Sequence, residues 1–546
     1  MQFSPEQVGR LEQYVSSATD NVFVVLLKKK IRGKVGAAFA RYSRAAGGFR
    51  ETFLKEFIDN PDQADKVIER ILIKFGDDSV QEFESAFLSM EQISNVATKA
   101  IEDKRLAAYI EQSTRYVFYD EKNERGEYKY YRPRVLIGSG LDVDYIQTMD
   151  AAFDLYSRLI QPMKEYFQRS KPLEVASYKI REEEPDRELT LADCRDDVER
   201  KTLRMTYNQD IRTKTCDTLR LLLPMSTTTN LGVHANGRSL SGILTSLYSS
   251  DIGELNELAA KSHEHLNRIM PRYVQRAKRD EYLVQTRRAF GKLAHVLTDE
   301  LLALDSMWPS EAVELGVCSY NRNTREQEMI ATMALFEHCH LPISQLYECV
   351  HGSSRELVSD IVSRYVGERR TRRDRVGRAF ETGYPWHFQF LADIGSFRNL
   401  HRHRMCTFQR QAFTTKHGFM DIPPEIIEAG FQDDVLQLVD QVNTLHTRLV
   451  STVGEEEAQY AVLFGHKIRY AMGFNLREAQ HLLELRTGKQ GHRDYRRLCQ
   501  QMYHIMIDKA PWVAKVLEFV DLNEYDWPRA DALAGIARKE SKLDTQ

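Results

Sequence analysis

The stretch His401-Arg-His-Arg-Met-Cys-Thr-Phe-Gln-Arg-Gln-Ala-Phe-Thr-Thr415 combines several cationic side chains with no acidic residue. With its upstream neighbour it supplies, within thirteen residues, Arg398, His401, Arg402, His403, Arg404 and Arg410. A guanidinium group binds phosphate through two parallel hydrogen bonds, and a dense group of them favours a bound anion. A phosphate clamp for a nucleotide or a dinucleotide cofactor is therefore one interpretation. A second is a solvated basic face, because most runs of charged residues are solvent-exposed surfaces without a ligand.

A metal site on His401 and His403 is a third interpretation, and their spacing argues against it. Residues two apart point in different directions on a helix. No Cys/His pair with zinc-finger spacing accompanies them. We predict no metal site. A second basic run, Glu368-Arg-Arg-Thr-Arg-Arg-Asp-Arg-Val-Gly-Arg378, we interpret as a solvated helix face.

Length and composition predict a soluble, globular protein with more than one domain. The 546 residues suggest two to four domains, and 42% hydrophobic with 28% charged residues is typical of globular chains. A net charge of −3 means that any anion binding must come from local patches. The seven cysteines have no regular spacing, the N-terminal residues do not resemble a signal peptide, and the apolar run at 22–27 is too short to span a membrane. These features predict a reduced, cytoplasmic protein.

The opening stretch resembles the signature of the flavin-dependent thymidylate synthases. That signature runs Arg-His-Arg, two free positions, Ser, three free positions, Gln-Ser, one free position, Arg. Arg402–Arg404 and Gln411 match it, and Thr407 stands at the first Ser. Ala412 replaces the second Ser and Thr414 replaces the final Arg, so the second half of the signature is lost here.

A second copy of this signature lies near residue 100, and it is altered at the other end. Asp103–Arg105 occupies the Arg-His-Arg position, whereas Glu111-Gln-Ser-Thr-Arg-Tyr116 fits the second half closely. An ordinary polar helix end explains the latter segment equally well when it is taken alone. Glu82 precedes Arg105 by 23 residues, as Glu381 precedes Arg404.

Other family segments occur in the same order in both halves of the chain. Gly76, Ser79 and Glu82 match a Gly-His-x-Thr/Ser-x-x-Glu-His segment, although Asp77 and Phe83 replace its histidines. The family then has an Arg before a Leu-Pro pair, a Thr-rich strand and an Asn-Ala-Arg helix. In the first half of this chain, Arg220 precedes Leu223-Pro224, and Asn236-Gly237-Arg238 follows. In the second half, the corresponding helix is Asn475–Arg486.

This order predicts one domain repeated, with residues 1–290 as the first copy and 291–546 as the second. By resemblance, each copy is an α/β (α+β) domain with a mostly antiparallel sheet and flanking helices. The two are expected to pack as a pseudo-twofold pair.

The two copies have lost complementary parts of the family's site. The first keeps the Gln-Ser-x-Arg segment and Arg220, and the second keeps Arg-His-Arg and the helix that ends at Arg486. Gln459 falls near the position of Arg220, and Leu247 near that of Arg486. Because the family's sites are shared between subunits, one composite site between the two copies is the expectation.

The resemblance assigns roles to the residues of that site. Substrate-binding residues are expected to be Glu111, Gln112, Ser113, Arg115, Arg220, Asn399, Arg402 and Arg486. Cofactor-binding residues are expected to be Ser79, Arg402, His403, Arg404, Asn475, Arg477 and His481. Arg486 is the candidate catalytic residue, since its fork can read and polarise a pyrimidine carbonyl.

By resemblance, the reaction is the reductive methylation of dUMP to dTMP. The cofactor is FAD, and methylene-tetrahydrofolate and NADPH are co-substrates. Another pyrimidine nucleotide stays open as the substrate, as does a ligand at the second, degenerate site. A dimer of two-repeat chains is expected to mimic the family's tetramer. The alternative function is a non-catalytic protein that binds nucleotide or nucleic acid through its basic stretches, although nucleic acid is the less favoured partner.

Overall fold

The computed structural model describes residues 4–15, 18, 35–42, 46–59, 78–181, 183–302, 312–315, 325–371 and 374–543. Gly76 and Asp77 of the predicted upstream motif lie outside this range.

Helices flank the sheets throughout the described chain. Those of the first half are α1 Pro5–Leu11, α2 Val35–Tyr42, α3 Phe49–Phe53, α4 Asn95–Glu102, α5 Asp142–Ser170, α6 Asp197–Leu219, α7 Gly237–Tyr248, α8 Gly253–Asn267, α9 Pro271–Val274 and α10 Glu281–Leu302. Those of the second half are α11 Arg325–Phe336, α12 Ile343–His351, α13 Arg355–Val366, α14 Ile394–Leu400, α15 Pro424–Glu428, α16 Gln432–Val453, α17 Glu455–Ala458, α18 Leu476–Thr487, α19 Arg493–Lys509 and α20 Ala530–Leu543. Shorter turns of 3-10 helix include Asp78–Phe83, Arg220–Leu222, Arg378–Glu381 and Gln459–Ala461.

Two small sheets share one topology. The first has the order β1-β3-β2, with strands Ser85–Ser94, Thr228–Asn236 and Ala108–Glu111. The second has the order β4-β5-β7-β6, with strands Val313–Leu315, Trp386–Asp393, Lys467–Phe474 and Thr407–Arg410. In each sheet, the strand that comes last in the sequence (β3 or β7) lies between two others. The pairs β2·β3, β5·β7 and β6·β7 are antiparallel. The predicted fold class is confirmed.

Strand register and helix caps repeat as well. Ala108 pairs with His234 in the first sheet, and Thr407 pairs with Gly473 at the corresponding place in the second. The side chain of Asn236 accepts a hydrogen bond from Ser239 N (2.8 Å) and begins α7. Asn475 accepts from Glu478 N (3.1 Å) and begins α18 in the same way. Such a cap satisfies a backbone donor that a helix start otherwise leaves unpaired.

The chain forms two compact units. The first contains residues 1–91, 100–111 and 230–281, and the second contains 92–99, 112–229 and 282–546. The predicted boundary near residue 290 lies inside α10, and Phe290 is buried among residues of α11 to α13. That boundary stays a prediction.

Within the second unit, equivalent segments of the two repeats make reciprocal contacts. Met225 N donates to Val462 O (2.8 Å), and Phe464 N donates to Leu223 O (2.9 Å). Leu223 and Val462 occupy the same place in their repeats, as do Met225 and Phe464. Pro224 and Leu463, which lie between these residues in the two segments, form an isolated antiparallel β-bridge. Each contact therefore occurs twice, as a twofold relation requires.

The long helices α5 and α16 show the same relation. Asp144 and Asp434 are each the third residue of their helix, and Arg158 and Arg448 are each the seventeenth. Arg448 Nη1 lies 2.6 Å from Asp144 Oδ2, and Arg158 forms the matching ion pair with Asp434. The predicted pseudo-twofold pairing is thus visible in side chains as well as in the backbone.

One local prediction is wrong. The described residues of the basic run 368–378 do not form a helix face, because α13 ends at Val366 and Gly367 takes a φ of 64°, which an α-helix does not continue. Residues 368–371 and 374–377 are irregular, and only the last residue begins a 3-10 turn. No helix in the described ranges has both the length and the apolar character needed to cross a membrane.

Candidate functional site

Arg115 and Asp217 form the best-defined ion pair of the candidate site. Arg115 Nε donates to Asp217 Oδ1 (2.5 Å) and Nη2 donates to Oδ2 (2.7 Å), and each side chain is only 11% exposed. Burial lowers the pKa of Arg115, but the adjacent carboxylate outweighs it and the pKa is raised. Burial likewise acts to raise the pKa of Asp217, and Arg115 holds it well below its ordinary value. Both groups are therefore charged.

Arg220 follows Asp217 by three residues, where α6 ends and a 3-10 turn begins. It is 4% exposed, and its Nη2 is buried with no hydrogen-bond partner in the described part of the chain. A Cβ at Gly395 would lie 3.2 Å from this nitrogen, so the guanidinium rests against the backbone of α14. Burial and then the charge of Arg115 lower the pKa of Arg220. A buried, unsatisfied cationic donor is costly unless an anion accepts from it.

A second contact joins the Gln-Ser-x-Arg segment to the Arg-His-Arg side of the site. Arg398 Nη1 donates to Thr114 Oγ1 (3.4 Å), and its guanidinium lies 4.5 Å from the centre of the Phe464 ring. Ser113 Oγ accepts from Arg115 N (3.2 Å), which shapes the turn that carries Arg115. The segments that carry the two predicted halves of the site therefore contact each other within the second unit, and the composite site stays a prediction.

Arg486 is held by a buried histidine. Arg486 Nε donates to His403 Nε2 (2.7 Å), and His403 Nδ1 lies 3.1 Å from Glu478 Oε1. Because Nε2 accepts, the network places the imidazole proton on Nδ1, facing the carboxylate. Burial lowers the pKa of His403, so the ring stays neutral at pH 7. Glu478 was not predicted, although an acidic residue three positions after a capping Asn is a recognisable helix-start pattern.

Tyr495 of α19 and His492, which caps that helix, connect the two groups of arginines. The Arg486 guanidinium lies 5.8 Å from the centre of the Tyr495 ring. Burial lowers the pKa of Arg486 and Tyr495 partly offsets that effect, and Tyr495 also contributes to the raised pKa of Arg115. His492 Nε2 lies 3.5 Å from the backbone oxygen of Asp217, and burial lowers the pKa of His492 to about 3. Neither residue carried a sequence signal.

Most of the cofactor-binding residues predicted in the second repeat have exposed side chains next to this network. Arg402, Arg404, Arg477 and His481 are exposed, and the His481 ring centre is 5.6 Å from that of His403. Exposed guanidinium groups beside a buried, fixed histidine suit the phosphates of a dinucleotide, so the residues present fit FAD. Asn475 is also exposed, but its side-chain oxygen is used in the cap of α18.

Comparison with known proteins identifies the group to which the chain belongs. The family model described as "Thymidylate synthase complementing protein" matches residues 28–272 and 353–512, which together make up most of the chain. The chain belongs to this family. The two matched segments fall in the two predicted repeats, consistent with a tandem arrangement.

The relatives match along nearly the whole chain. A UPF0159 protein of Chlamydia pneumoniae is 30% identical over 549 residues and covers 97% of each chain. A UPF0159 protein of Thermoplasma acidophilum is 28% identical over 503 residues, covering 91% of this chain and 97% of its own. These relatives are therefore similar to the chain over both of its predicted repeats.

In the second repeat, the residues at the places of Arg220 and Arg115 form hydrogen bonds within the protein. Gln459, at the place of Arg220, accepts from Phe413 N (3.1 Å) and donates to Glu456 O (3.1 Å). Thr414, at the place of Arg115, accepts from Lys416 N (3.2 Å). Neither position offers a charged donor.

The remaining predicted residues make contacts within the protein. Asn399 Nδ2 donates to Gly395 O (2.8 Å) and thus braces α14, and the backbone oxygen of Gln112 accepts from Thr229 Oγ1 (3.4 Å). Ser79, in a 3-10 turn, and Glu111, paired with Leu231 at the end of β2, belong to the first unit. Their roles stay predictions.

The two histidines of the opening stretch face different neighbours. His401 stacks on Phe397 (ring centres 5.0 Å apart), whereas His403 faces Glu478. Across the described ranges, no three His, Cys, Asp or Glu side chains are grouped so that they can hold a metal ion.

Proposed function

We propose that the protein is an FAD-dependent thymidylate synthase that converts dUMP to dTMP in the cytoplasm. Methylene-tetrahydrofolate would supply the carbon and NADPH the reducing equivalents. The observation that carries the proposal is the buried Arg220 Nη2, which has no partner in the described chain and lies beside the charged Arg115. Family membership supports the same reaction class.

The nucleotide phosphate would bind between Arg115, Arg220 and Ser113. A phosphate monoester carries about −1.5 to −2 charges at pH 7. It can therefore satisfy the Arg220 donor and offset the charge that Asp217 leaves uncompensated. Bidentate recognition of this kind positions a ligand as well as binding it.

The pyrimidine would lie toward Arg486. Its Nε donates to His403, so contact with the pyrimidine would come from the terminal nitrogens of the guanidinium. A fixed cation beside a carbonyl stabilises negative charge that develops on that oxygen. Arg486 is therefore proposed as the catalytic residue, and His403 and Glu478 as the residues that orient it.

Arg402, Arg404, Arg477 and His481 would hold the flavin dinucleotide. When bound, the flavin supplies the electrons for reduction at the pyrimidine. The chain's own contribution is to bind both ligands and to orient Arg486. We propose a dimer of two-repeat chains as the assembly.

Flavin binding is tested by the absorbance of the purified protein and by reconstitution with FAD. Arg404→Ala should weaken FAD binding about ten- to hundredfold, since a hydrogen bond to a charged group contributes about 1.5–3 kcal/mol. Arg364→Ala is the matched control, because Arg364 is an exposed arginine paired with Asp360 on α13. A colourless protein that FAD does not reconstitute would favour the non-catalytic alternative.

The shared nucleotide site is tested by calorimetry with dUMP. Arg115→Ala and Arg486→Ala should each weaken binding about tenfold or more, although the two residues lie in different repeats. Their effects should not add, since both hold one ligand. Full affinity in Arg115→Ala would show that the second repeat binds nucleotide alone, and would contradict the composite site.

A further inference from the structure

The C-terminal segment 521–543 is fastened to both repeats within the second unit. Trp527 packs 6.0 Å from Phe167 of α5, and Lys214 of α6 donates to Asp526 O (3.2 Å). On the side of the second repeat, Arg496 of α19 donates to Asn523 O (2.8 Å). The segment is therefore a fixed part of the second unit, and it lies beyond the residues that the family model matches.

Arg529 of this segment reaches the Arg115–Asp217 pair. It is 6% exposed, and its Nε lies 4.0 Å from Asp217 Oδ2. Its guanidinium lies 4.9 Å from the centre of the ring of Tyr116, the residue that follows Arg115. Arg529 Nη1 is buried and has no hydrogen-bond partner in the described part of the chain.

Asp217 attracts Arg529 through charge but accepts no hydrogen bond from it. Its two oxygens accept the short hydrogen bonds from Arg115, and the 4.0 Å between Asp217 Oδ2 and Arg529 Nε is too long for a hydrogen bond. One carboxylate thus faces the guanidinium groups of Arg115 and Arg529, and Arg220 follows three residues later. Both Arg529 and Arg220 present a buried N–H group for which the described residues provide no acceptor.

We propose that Arg529 is a further anion-binding residue of this site, which binds a phosphate dianion together with Arg115 and Arg220. The inference rests on the proposed function in taking that phosphate to be the nucleotide's. A free orthophosphate ion shares the same chemistry. The C-terminal segment then contributes a ligand-binding arginine that the family signature does not contain.

The test compares wild type, Arg529→Gln and Arg529→Lys, with Arg538→Gln as the control. Arg538 is on the same segment, in α20, but donates to Arg181 O (3.0 Å), away from the cluster. Affinities for dUMP, deoxyuridine and orthophosphate are measured by calorimetry. Arg529→Gln should weaken dUMP binding about ten- to hundredfold and leave deoxyuridine binding unchanged, because only the phosphate is affected. Arg529→Lys should weaken dUMP binding less, and Arg538→Gln should match wild type.

The ratio of nucleotide to nucleoside affinity separates ligand binding from a structural role. Wild-type dUMP affinity in Arg529→Gln would overturn the inference and leave the proposed function standing. If Arg529→Gln does not fold, Arg529→Met, which also removes the charge, is measured in its place, and wild-type dUMP affinity in that variant would overturn the inference equally. Orthophosphate binding that depends on Arg529 without any dUMP binding would support the anion site and refute the proposed nucleotide substrate. Equal loss of dUMP and deoxyuridine affinity would mean that Arg529 only supports the fold.

Discussion

Replacing Gly395 by alanine perturbs Arg220 without removing any charge. The new Cβ would lie 2.9 Å from Asp393 Oδ1 and 3.2 Å from Arg220 Nη2. Asp393 Oδ1 is fixed, because it accepts from Ser396 N (2.8 Å) to cap α14. The guanidinium must therefore shift by a few tenths of an ångström, or the cap must weaken.

Two opposing effects set the stability of Gly395→Ala. Crowding of this kind costs about 1–3 kcal/mol, whereas alanine is favoured over glycine within a helix by about 1 kcal/mol. The free energy of unfolding should therefore fall by only about 0–2 kcal/mol. Affinity for dUMP should fall about ten- to hundredfold, because a misplaced guanidinium loses a charge-assisted hydrogen bond of about 1.5–3 kcal/mol.

Urea denaturation and dUMP calorimetry measure the two effects separately. Gly242→Ala is the matched control, since it is an exposed helical glycine of α7 whose added Cβ would meet nothing within 4 Å. It should raise the free energy of unfolding by up to about 1 kcal/mol and leave dUMP affinity unchanged. Unchanged dUMP affinity in Gly395→Ala would refute the placement of the phosphate at Arg220.

Three further predictions concern charge. Asp217→Asn should lower the free energy of unfolding by about 3 kcal/mol, because it leaves buried Arg115 without its carboxylate. Urea denaturation should show that millimolar phosphate restores part of this loss of stability, and no restoration would argue against an anion site. Arg158→Ala and Arg448→Ala should each cost less than about 1 kcal/mol and cost the same, since their exposed ion pairs are twofold-equivalent; clearly unequal values would argue against that relation. Burial lowers the pKa of His466 to about 3, whereas in the unfolded chain its pKa is about 6.5. The neutral His466 ring therefore contributes fully to the free energy of unfolding above about pH 6.5, and this contribution is lost as the pH falls toward 3. Urea midpoints should therefore fall between pH 7 and pH 5, and less steeply in His466→Gln.

Motif order was enough to predict the repeat. Strands, capping asparagines and signature segments are local features, and each copy keeps them at matching spacing. The order of strands in each sheet and the twofold pairing of α5 with α16 follow from the same repetition. The wrong prediction, a helix at 368–378, came from reading charge alone. A single glycine after Val366 ends the helix there.

The surroundings of the site were beyond sequence reasoning because they depend on non-local contacts. Asp217 lies about a hundred residues from Arg115, and nothing in its local sequence marks it as the partner. Tyr495, His492 and Arg529 reach the site from helices and segments outside the family signature. Only Glu478 had a local pattern that would have revealed it.

The two repeats can differ in their site residues because backbone hydrogen bonds join them. The contacts at Leu223 and Val462 use backbone atoms, so they do not depend on the side chains of the site. Site residues are then free to change without loss of the twofold pairing. A buried arginine without an anion is costly, and at Gln459 the chain replaces it with an amide that the protein satisfies internally. Arg220 keeps that cost. In the proposed function, the nucleotide phosphate offsets this cost at Arg220, whereas the amide at Gln459 needs no such ligand.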